Sequence, residues 1–183
     1  MENMWLLAVA IVGAVVAFGL WYSLKKGAPW WPTPARRTRA LLRAADVKPG
    51  ELVVDAGCGD GRVLLVAARE FSARGLGIEI HPVLVWIARL RLFAARLSAQ
   101  VTIQRADLFS VDLRSADVLF LFLLQETNVA LQEKLRRELR PGTRVVSYAF
   151  TLPQWQDQPS TDPYHHVYVV GDTASSPSTA AMV

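Results

Sequence analysis

After residue 50 the chain alternates short apolar runs with helical segments, and this alternation is the strongest constraint on its fold. The runs are rich in β-branched and aromatic residues and predict strands at 52–56, 75–80, 101–104, 118–124, 143–148 and 164–170. Helices are predicted at 62–71, 82–97 and 126–139, and an earlier one at 34–45 with Thr33 as its N-cap. Alternation at this spacing is typical of parallel strands joined by right-handed crossovers. The sequence therefore predicts an α/β fold with a doubly wound, mostly parallel sheet.

A glycine-rich loop follows the first predicted strand, with glycines at positions 57, 59 and 61. These glycines leave the backbone bare, so that a ligand can approach it closely. The spacing is G-x-G-x-G, which differs from the G-x-G-x-x-G of a dinucleotide site. Ligands of such sheets bind outside the carboxyl ends of the strands, near the point where strand order reverses. A ligand site is therefore predicted at this loop.

Acidic residues lie at the ends of three successive predicted strands. Asp55 is in the first strand, Glu79 ends the second and Asp107 follows the third. Glu79 can accept hydrogen bonds from both hydroxyls of a ribose, and Asp107 from an adenine amino group. Three carboxylates repel phosphate but attract a sulfonium and an α-amino group. The pattern indicates a cationic adenosyl ligand, with helix capping as the alternative role of each acid.

Three motifs resemble those of the class I S-adenosylmethionine-dependent methyltransferases. They are VVDAGCGDGR, GIEI and RADLF. The resemblance implies a Rossmann-like fold and S-adenosyl-L-methionine as the cofactor. The residues that it assigns to cofactor binding are Asp55, Gly57, Cys58, Gly59, Asp60, Gly61, Glu79, Ile80, Asp107 and Leu108.

A narrower resemblance points to a small family of membrane-anchored protein-lysine methyltransferases. It is carried by GAPWWPTP, LFLLQETN, LRPGTRVVSYAF and Trp155. Mitochondrial members of that family act on the ATP synthase c-subunit and the adenine nucleotide translocase, and archaeal relatives methylate protein lysines broadly. The resemblance implies a protein substrate, membrane-embedded ones included. The chain departs from the family pattern at Cys58, His81 and Gln125, where serine, an acid and proline are more usual.

Three polar residues follow the 118–124 strand, at the place where the methyl group should emerge. Glu126 can attract the lysine ammonium and, with water, remove its proton, while Gln125 and Asn128 can orient the amine. These residues are the predicted catalytic set. The alternative is that Glu126 and Asn128 cap the next helix, because acids favour helix N-termini.

The N-terminal segment predicts a membrane anchor. Residues 4–24 carry no charge and are long enough to cross a bilayer as one helix. Residues 25–45 then contain six basic side chains and no acid, which predicts a basic linker and helix in contact with anionic lipid headgroups. By the positive-inside bias, the catalytic domain, residues 46–170, is expected on the cytoplasmic side of the cell membrane, after a single span. The tail, residues 171–183, is predicted to be disordered.

The remaining composition excludes several other functions. Residues 46–183 hold 14 basic and 15 acidic side chains, so no nucleic-acid partner is expected. The single cysteine excludes a disulfide scaffold, and the three histidines show no metal-ligand spacing, so no metal is expected. The leading hypothesis is a membrane-anchored methyltransferase for protein lysine. Two alternatives stay open, a lipid or apolar small-molecule methyltransferase and a non-catalytic, membrane-tethered cofactor-binding module.

Overall fold

The computed structural model describes residues 33–171, together with Trp5 and Gly13. Apart from these two residues, the predicted membrane span at 4–24 lies outside the described residues. The linker up to residue 32 and the tail from residue 172 also lie outside them. In the part of the chain that is described, no helix is both long enough and apolar enough to cross a bilayer. The chain divides into two compact units, Met1–Trp31 and Pro32–Val183, and the second contains every element described below.

Helices and strands alternate through the second unit. In chain order they are α1 (Ala35–Ala44), β1 (Leu52–Ala56), α2 (Arg62–Phe71), β2 (Arg74–Glu79), α3 (Pro82–Ala94), β3 (Val101–Arg105), β4 (Val118–Leu121), α4 (Gln125–Glu138), β5 (Arg144–Tyr148) and β6 (His165–Val169). One turn of 3-10 helix, Leu108–Ser110, follows β3.

The six strands form one sheet in the order β3-β2-β1-β4-β5-β6. The first five in this order are parallel, and β6 pairs antiparallel with β5. The strand order reverses at β1, which pairs with β2 on one side and with β4 on the other. This arrangement confirms the predicted doubly wound, mostly parallel sheet, and it puts the glycine loop after β1 at the reversal point.

Both faces of the sheet are covered by helices. On one face, leucines and alanines of α1, α2 and α3 pack with Val53 and Phe120. On the other, Leu131 and Leu135 of α4 pack with Val54, Leu119 and the segment after β3. Because the central strands are buried on both sides, their sequences read as continuous apolar runs rather than alternating ones.

Several predicted boundaries need correction. Thr33 is not the N-cap of the first helix, because extended Pro34 holds that position and no side chain caps the helix. Helix α3 ends at Ala94 rather than at residue 97, because Arg96, with a φ of 59°, turns the chain away from the helical path. The fourth strand ends at Leu121 rather than at residue 124. Leu121 pairs with Ala56, the last residue of β1, so the sheet ends there.

Candidate functional site

The glycine loop is hydrogen-bonded to the end of β2. The backbone N–H groups of Gly57 and Cys58 both donate to the carbonyl of Ile78, at 2.9 and 3.0 Å. Gly57 and Gly61 have φ values of 79° and 75°, in the left-handed region that side chains disfavour. The loop is therefore wound tightly against β2, in a conformation that glycine adopts without strain.

Glu79 provides the second connection between the loop and β2. Its side chain is buried, with Oε2 accepting a hydrogen bond from the N–H of Gly59 at 2.9 Å. Its Oε1 accepts from the N–H of His81 at 2.8 Å, directly before α3. Each carboxylate oxygen has a second lone pair, so both retain the capacity to accept a hydrogen bond from a ribose hydroxyl.

Asp55, near the end of β1, is a buried carboxylate with spare hydrogen-bonding capacity. It is 3% exposed, and its Oδ2 has no hydrogen-bond partner within the described part of the chain. Burial, with the neighbouring charges of Glu79 and Asp60, raises the pKa of Asp55 to about 8. An unpaired carboxylate oxygen in this position suits a cationic ligand group. The residues present therefore fit a ligand that carries a sulfonium and an α-amino group.

Asp60 is also buried, but both its carboxylate and its carbonyl are engaged by arginines. Arg62 and Arg91 each lie 2.6 Å from its Oδ2, and Arg91 also donates to its carbonyl oxygen at 3.0 Å. Burial raises the pKa of Asp60, but hydrogen bonds from these guanidinium groups outweigh it and hold the pKa below its usual value. Asp60 thus ties the loop to α3, and its role in cofactor binding stays a prediction.

Cys58 is unsuited to nucleophilic chemistry in this loop. It is buried, and burial together with the charges of Asp55 and Glu79 raises the pKa of its thiol. The thiol therefore stays protonated near neutral pH, and only a thiolate is a good nucleophile.

The adenine-side residues lie along the same edge of the sheet. Glu79 pairs with Arg105, so the ends of β2 and β3 are neighbours, and Asp107 follows two residues later. Asp107 is exposed and accepts a hydrogen bond from the N–H of Phe109 at 2.9 Å. Leu108 packs against the core on the α4 side, and Ile80 is half-buried directly after Glu79.

The predicted catalytic residues lie at the start of α4. Gln125 exchanges two hydrogen bonds with the backbone of Thr151, each 3.1 Å long. Asn128 is fully buried and donates from Nδ2 to Ser147 Oγ and to the carbonyl of Phe150, at 3.2 and 3.3 Å. Glu126 is exposed in the first turn, and among the described residues no side chain forms a capping hydrogen bond at the start of this helix. Gln125 and Asn128 therefore fasten the segment after β5 to α4, and the catalytic roles stay predictions.

The structure adds an aromatic cluster that sequence reasoning missed. The rings of Phe122 and Tyr148 lie 4.8 Å apart, and those of Tyr148 and Tyr164 lie 6.4 Å apart. The guanidinium of Arg37, on α1, lies 5.3 and 5.4 Å from the two tyrosine ring centres, and it donates to the Tyr148 hydroxyl. Arg37 belongs to the basic segment for which the sequence predicts lipid contact, and in the sequence only the position of Tyr148 at the end of a predicted strand points to this site.

This cluster lies at the carboxyl end of the sheet, as the glycine loop does. Phe122 and Tyr148 pack against the core that contains Cys58. Leu123, the neighbour of Phe122, is so close to Gly57 that a Cβ there would lie 2.9 Å from its Cδ2. Phe122 directly follows β4 and Tyr148 ends β5, and β4 pairs with both β1 and β5, so the aromatic cluster and the loop lie at the same carboxyl edge of the sheet.

A mixed sheet with a carboxylate-lined glycine loop at its reversal point defines the class of S-adenosylmethionine-dependent methyltransferases. The crystal structure of an RNA methyltransferase from Salinibacter ruber, in complex with S-adenosyl-L-homocysteine, shares this fold with a TM-score of 0.73. The two are 37% identical, and the match covers 78% of this chain and 95% of that one.

The family follows from three further comparisons. The model of the ANTKMT methyltransferase domain matches residues 55–159. A protein-lysine N-methyltransferase of Saccharolobus islandicus is 37% identical over 128 residues, which are 69% of this chain and 80% of that protein. The adenine nucleotide translocase lysine N-methyltransferase of Mus musculus is 38% identical over 133 residues, 73% of this chain but 58% of the mouse protein. The chain belongs to the ANTKMT methyltransferase family, and S-adenosyl-L-methionine is confirmed as its cofactor.

Replacing Glu79 tests the cofactor site. Glu79→Ala would remove the charge-assisted contact that we predict with the ribose, and it also removes the hydrogen bond to Gly59, so it is expected to weaken S-adenosylmethionine binding by about 2–3 kcal/mol. Titration calorimetry measures this loss, with Glu70→Ala, an exposed glutamate on α2, as the matched control. Unchanged affinity in a folded Glu79→Ala variant would contradict the assignment.

The raised pKa of Asp55 predicts a pH dependence. The protonated form is favoured in the free protein, so this group's contribution to stability is complete below about pH 4 and is lost as pH rises towards 8. A cationic ligand favours the ionised form, so cofactor affinity should increase with pH up to about 8, with proton release on binding below that pH.

Calorimetry in buffers of different ionisation enthalpy measures this proton release. Asp55→Asn, which cannot ionise, should bind with little proton release and a flatter pH profile. An equal release in both proteins would show that another group titrates.

Proposed function

We propose that this protein is a membrane-anchored, S-adenosylmethionine-dependent methyltransferase that methylates lysine side chains of proteins. Two relatives are named for that chemistry, one acting on protein lysine and one on lysine of the adenine nucleotide translocase. The chain spans little more than half of the mouse relative, so the substrate is inferred here from the site itself.

The observation that carries the proposal is the aromatic cluster at the same edge of the sheet as the carboxylate-lined loop. Tyr164 is 51% exposed, while Tyr148 and Phe122 extend from it towards the core. A lysine side chain has a four-carbon apolar stem that packs well on such rings while its nitrogen stays polar. The cluster therefore offers a path along which a lysine would reach the cofactor loop.

Arg37 gives this path a second property. Its permanent positive charge lies over both tyrosine rings. A neighbouring cation disfavours a protonated amine, so it lowers the pKa of an incoming lysine. Only the neutral amine has the lone pair that attacks a methyl carbon, and Arg37 would therefore increase its fraction.

The bound cofactor would supply a methyl group activated by its positively charged sulfur. The chain's own residues have to align the amine with that carbon and take up a proton. Glu126 is exposed at the start of α4, where its carboxylate would attract the ammonium and accept the proton through water. For each methyl group added, the lysine nitrogen would gain a bond to the methyl carbon as that carbon's bond to sulfur breaks, and the nitrogen would lose one bond to hydrogen.

Gln125 and Asn128 support the part of the site that would receive the substrate lysine. Both hold the backbone at 150–151, close to Tyr148 in sequence. Asn128 Oδ1 is buried and has no hydrogen-bond partner among the described residues, so it retains an acceptor for an amine N–H. We assign Gln125 a positioning role, and Asn128 that role together with orientation of the amine.

The membrane part of the proposal rests on the sequence. Residues 4–24 would form a single span in the cell membrane, the basic residues 25–45 would contact anionic headgroups, and residues 46–170 would lie on the cytoplasmic side. Tethering would confine the enzyme and a membrane-embedded substrate to one surface and so raise their effective concentration.

Transfer of labelled methyl groups tests this function. The full chain and a chain that begins at Gly27 are incubated with methyl-labelled S-adenosylmethionine and membrane fractions. Label is then counted in protein, lipid and RNA, since one similar structure is described as an RNA methyltransferase. Label in protein is expected, recovered as methyllysine after hydrolysis, and faster with the full chain. Glu79→Ala is the low-activity control.

Each other outcome has a distinct meaning. Label in the lipid extract would favour the lipid-methyltransferase alternative, and label in RNA would exclude the proposed substrate class. No label in any fraction would favour a non-catalytic module. Equal rates for a soluble, shortened chain and the full chain would contradict the tethering argument alone.

The proposed path of the substrate lysine along the aromatic cluster is tested at Tyr164. Because this ring is half exposed, Tyr164→Ala should leave the fold and cofactor affinity intact. It should raise the KM for the protein substrate roughly fivefold, as expected for the loss of about 1 kcal/mol of ring contact. Tyr164→Phe keeps the ring and should behave like the native protein. An unchanged KM in Tyr164→Ala, measured at saturating cofactor, would exclude this path.

A further inference from the structure

Helix α3 is apolar on its outer side as well as on its inner side. Its inner residues Val85, Ala88 and Leu92 are buried in the core. Its outer side carries a stripe of large apolar side chains: Val83 (42% exposed), Trp86 (65%), Leu90 (51%) and Phe93 (72%). Their spacing of three, four and three residues aligns them along one side of the helix. We call these four residues the α3 stripe.

An exposed stripe of this kind needs a partner. Single exposed apolar side chains are common on soluble surfaces, but four large ones in a continuous row are typical of an interaction surface. The helix spans 13 residues, about 20 Å, too short to cross a bilayer. It can, however, lie along a membrane surface with its outer side inserted.

The charges near the stripe favour an anionic surface. Between Glu79 and Asp107 the sequence contains four arginines and no acid. Arg91 is paired with Asp60 and Arg89 donates to the carbonyl of Ile103, while Arg96, just after the helix, is exposed. Arginines beside exposed tryptophan and phenylalanine are the composition of helices that bind anionic lipid interfaces.

The neighbouring helices on the same face continue this charge pattern. Leucines of α1 and residues of α3 belong to one core, so both helices cover the same side of the sheet. Arg36 and Arg43 of α1 are exposed. The acidic Glu70 on α2, between them, forms an ion pair with Arg39 at 2.6 Å. Arg36, Arg43 and Arg96 form no ion pair among the described residues, so this face presents positive charge on both sides of the α2 helix.

We propose that the α3 stripe docks onto an anionic lipid surface, with Trp86 and Phe93 inserted at the headgroup level and the arginines of this face against the phosphates. The inference rests on the proposed membrane attachment. Eight residues separate the predicted span from Thr33, and eight extended residues reach at most about 30 Å. A domain held so close to the bilayer has to turn one face towards it.

Docking through α3 has a consequence for catalysis. The helix begins at Pro82, three residues after Glu79 at the carboxyl edge of the sheet. The docked helix would therefore bring the cofactor loop near the membrane surface. Lysines at the headgroup level would then be the accessible substrates.

The test uses the full chain in lipid nanodiscs with a single fluorescent label. Cys58 is replaced by serine, with cofactor binding checked, and an environment-sensitive nitrobenzoxadiazole dye is attached at Leu90→Cys. Val129→Cys is the matched control, because Val129 is a half-exposed apolar residue on α4, across the sheet. Discs of phosphatidylcholine alone are compared with discs that also contain phosphatidylglycerol, each with and without brominated lipid.

In the anionic discs, the dye at position 90 should shift to shorter wavelength and be quenched by brominated lipid, while the dye at position 129 should do neither. Trp86→Ser with Phe93→Ser should abolish the effect, and Val129→Ser should not. Arg36→Glu with Arg43→Glu should weaken docking, by roughly fivefold for each charge removed.

The remaining outcomes separate this inference from the proposed attachment. Co-elution with the discs and identical signals at the two positions would overturn docking and leave the anchor intact. Failure to co-elute with either disc would overturn both. In a third outcome, the dye emission at position 90 shifts, brominated lipid does not quench it, and each disc holds two protein copies. That result would show that a second copy covers the stripe, and it would also overturn docking.

Discussion

Glu79 holds the site together, because its two carboxylate oxygens bind backbone N–H groups from two separate segments. One is Gly59 in the loop after β1, and the other is His81 at the entry to α3. Together with the hydrogen bonds from Gly57 and Cys58 to Ile78, they fix the loop against the neighbouring strand. Glycines remove the side chains that would obstruct this conformation, but hydrogen bonds select it from the many that glycine permits. The ligand contact proposed for Glu79 is thus made by the residue that also shapes the loop.

The same arrangement concentrates negative charge in a buried region. Asp55, Asp60 and Glu79 are all at most 9% exposed, and within the described part of the chain Asp60 is the one of the three that forms ion pairs with arginines. Burying an unpaired carboxylate is costly, and Asp55 responds with a raised pKa rather than with an ion pair. A cationic ligand removes this cost by supplying the missing counter-charge. Below about pH 8 the free protein relieves this cost by keeping Asp55 protonated, so a sulfonium gains the full attraction only when that proton leaves, and a neutral product gains less from the site.

The sequence was sufficient for the sheet, for the position of the glycine loop and for the identity of the cofactor, because these depend on local patterns. Strand β1 and helix α2 were predicted with the bounds that the structure shows, since apolar runs and the glycine loop delimit them. Position in a strand also placed Glu79 and Asp107. The aromatic cluster was missed, because Arg37 and Tyr148 are 111 residues apart and neither lies in a motif for the other. The bonds from Asn128 to Ser147 and Phe150 likewise join segments whose proximity only the fold creates.

Helix α1 connects the two proposals physically. At its start, Arg37 is bound to Tyr148 and lies over Tyr164 at the acceptor side of the site. Further along, Leu41 and Leu42 are fully buried in the core that α1 shares with α3. This helix also follows directly after the linker from the predicted span, and its exposed arginines belong to the face proposed to contact lipid. A force or a lipid contact that displaced α1 would therefore move Arg37 relative to the tyrosine rings. Since that guanidinium is the cation proposed to keep lysine neutral, membrane contact and amine activation would be coupled through one rigid helix.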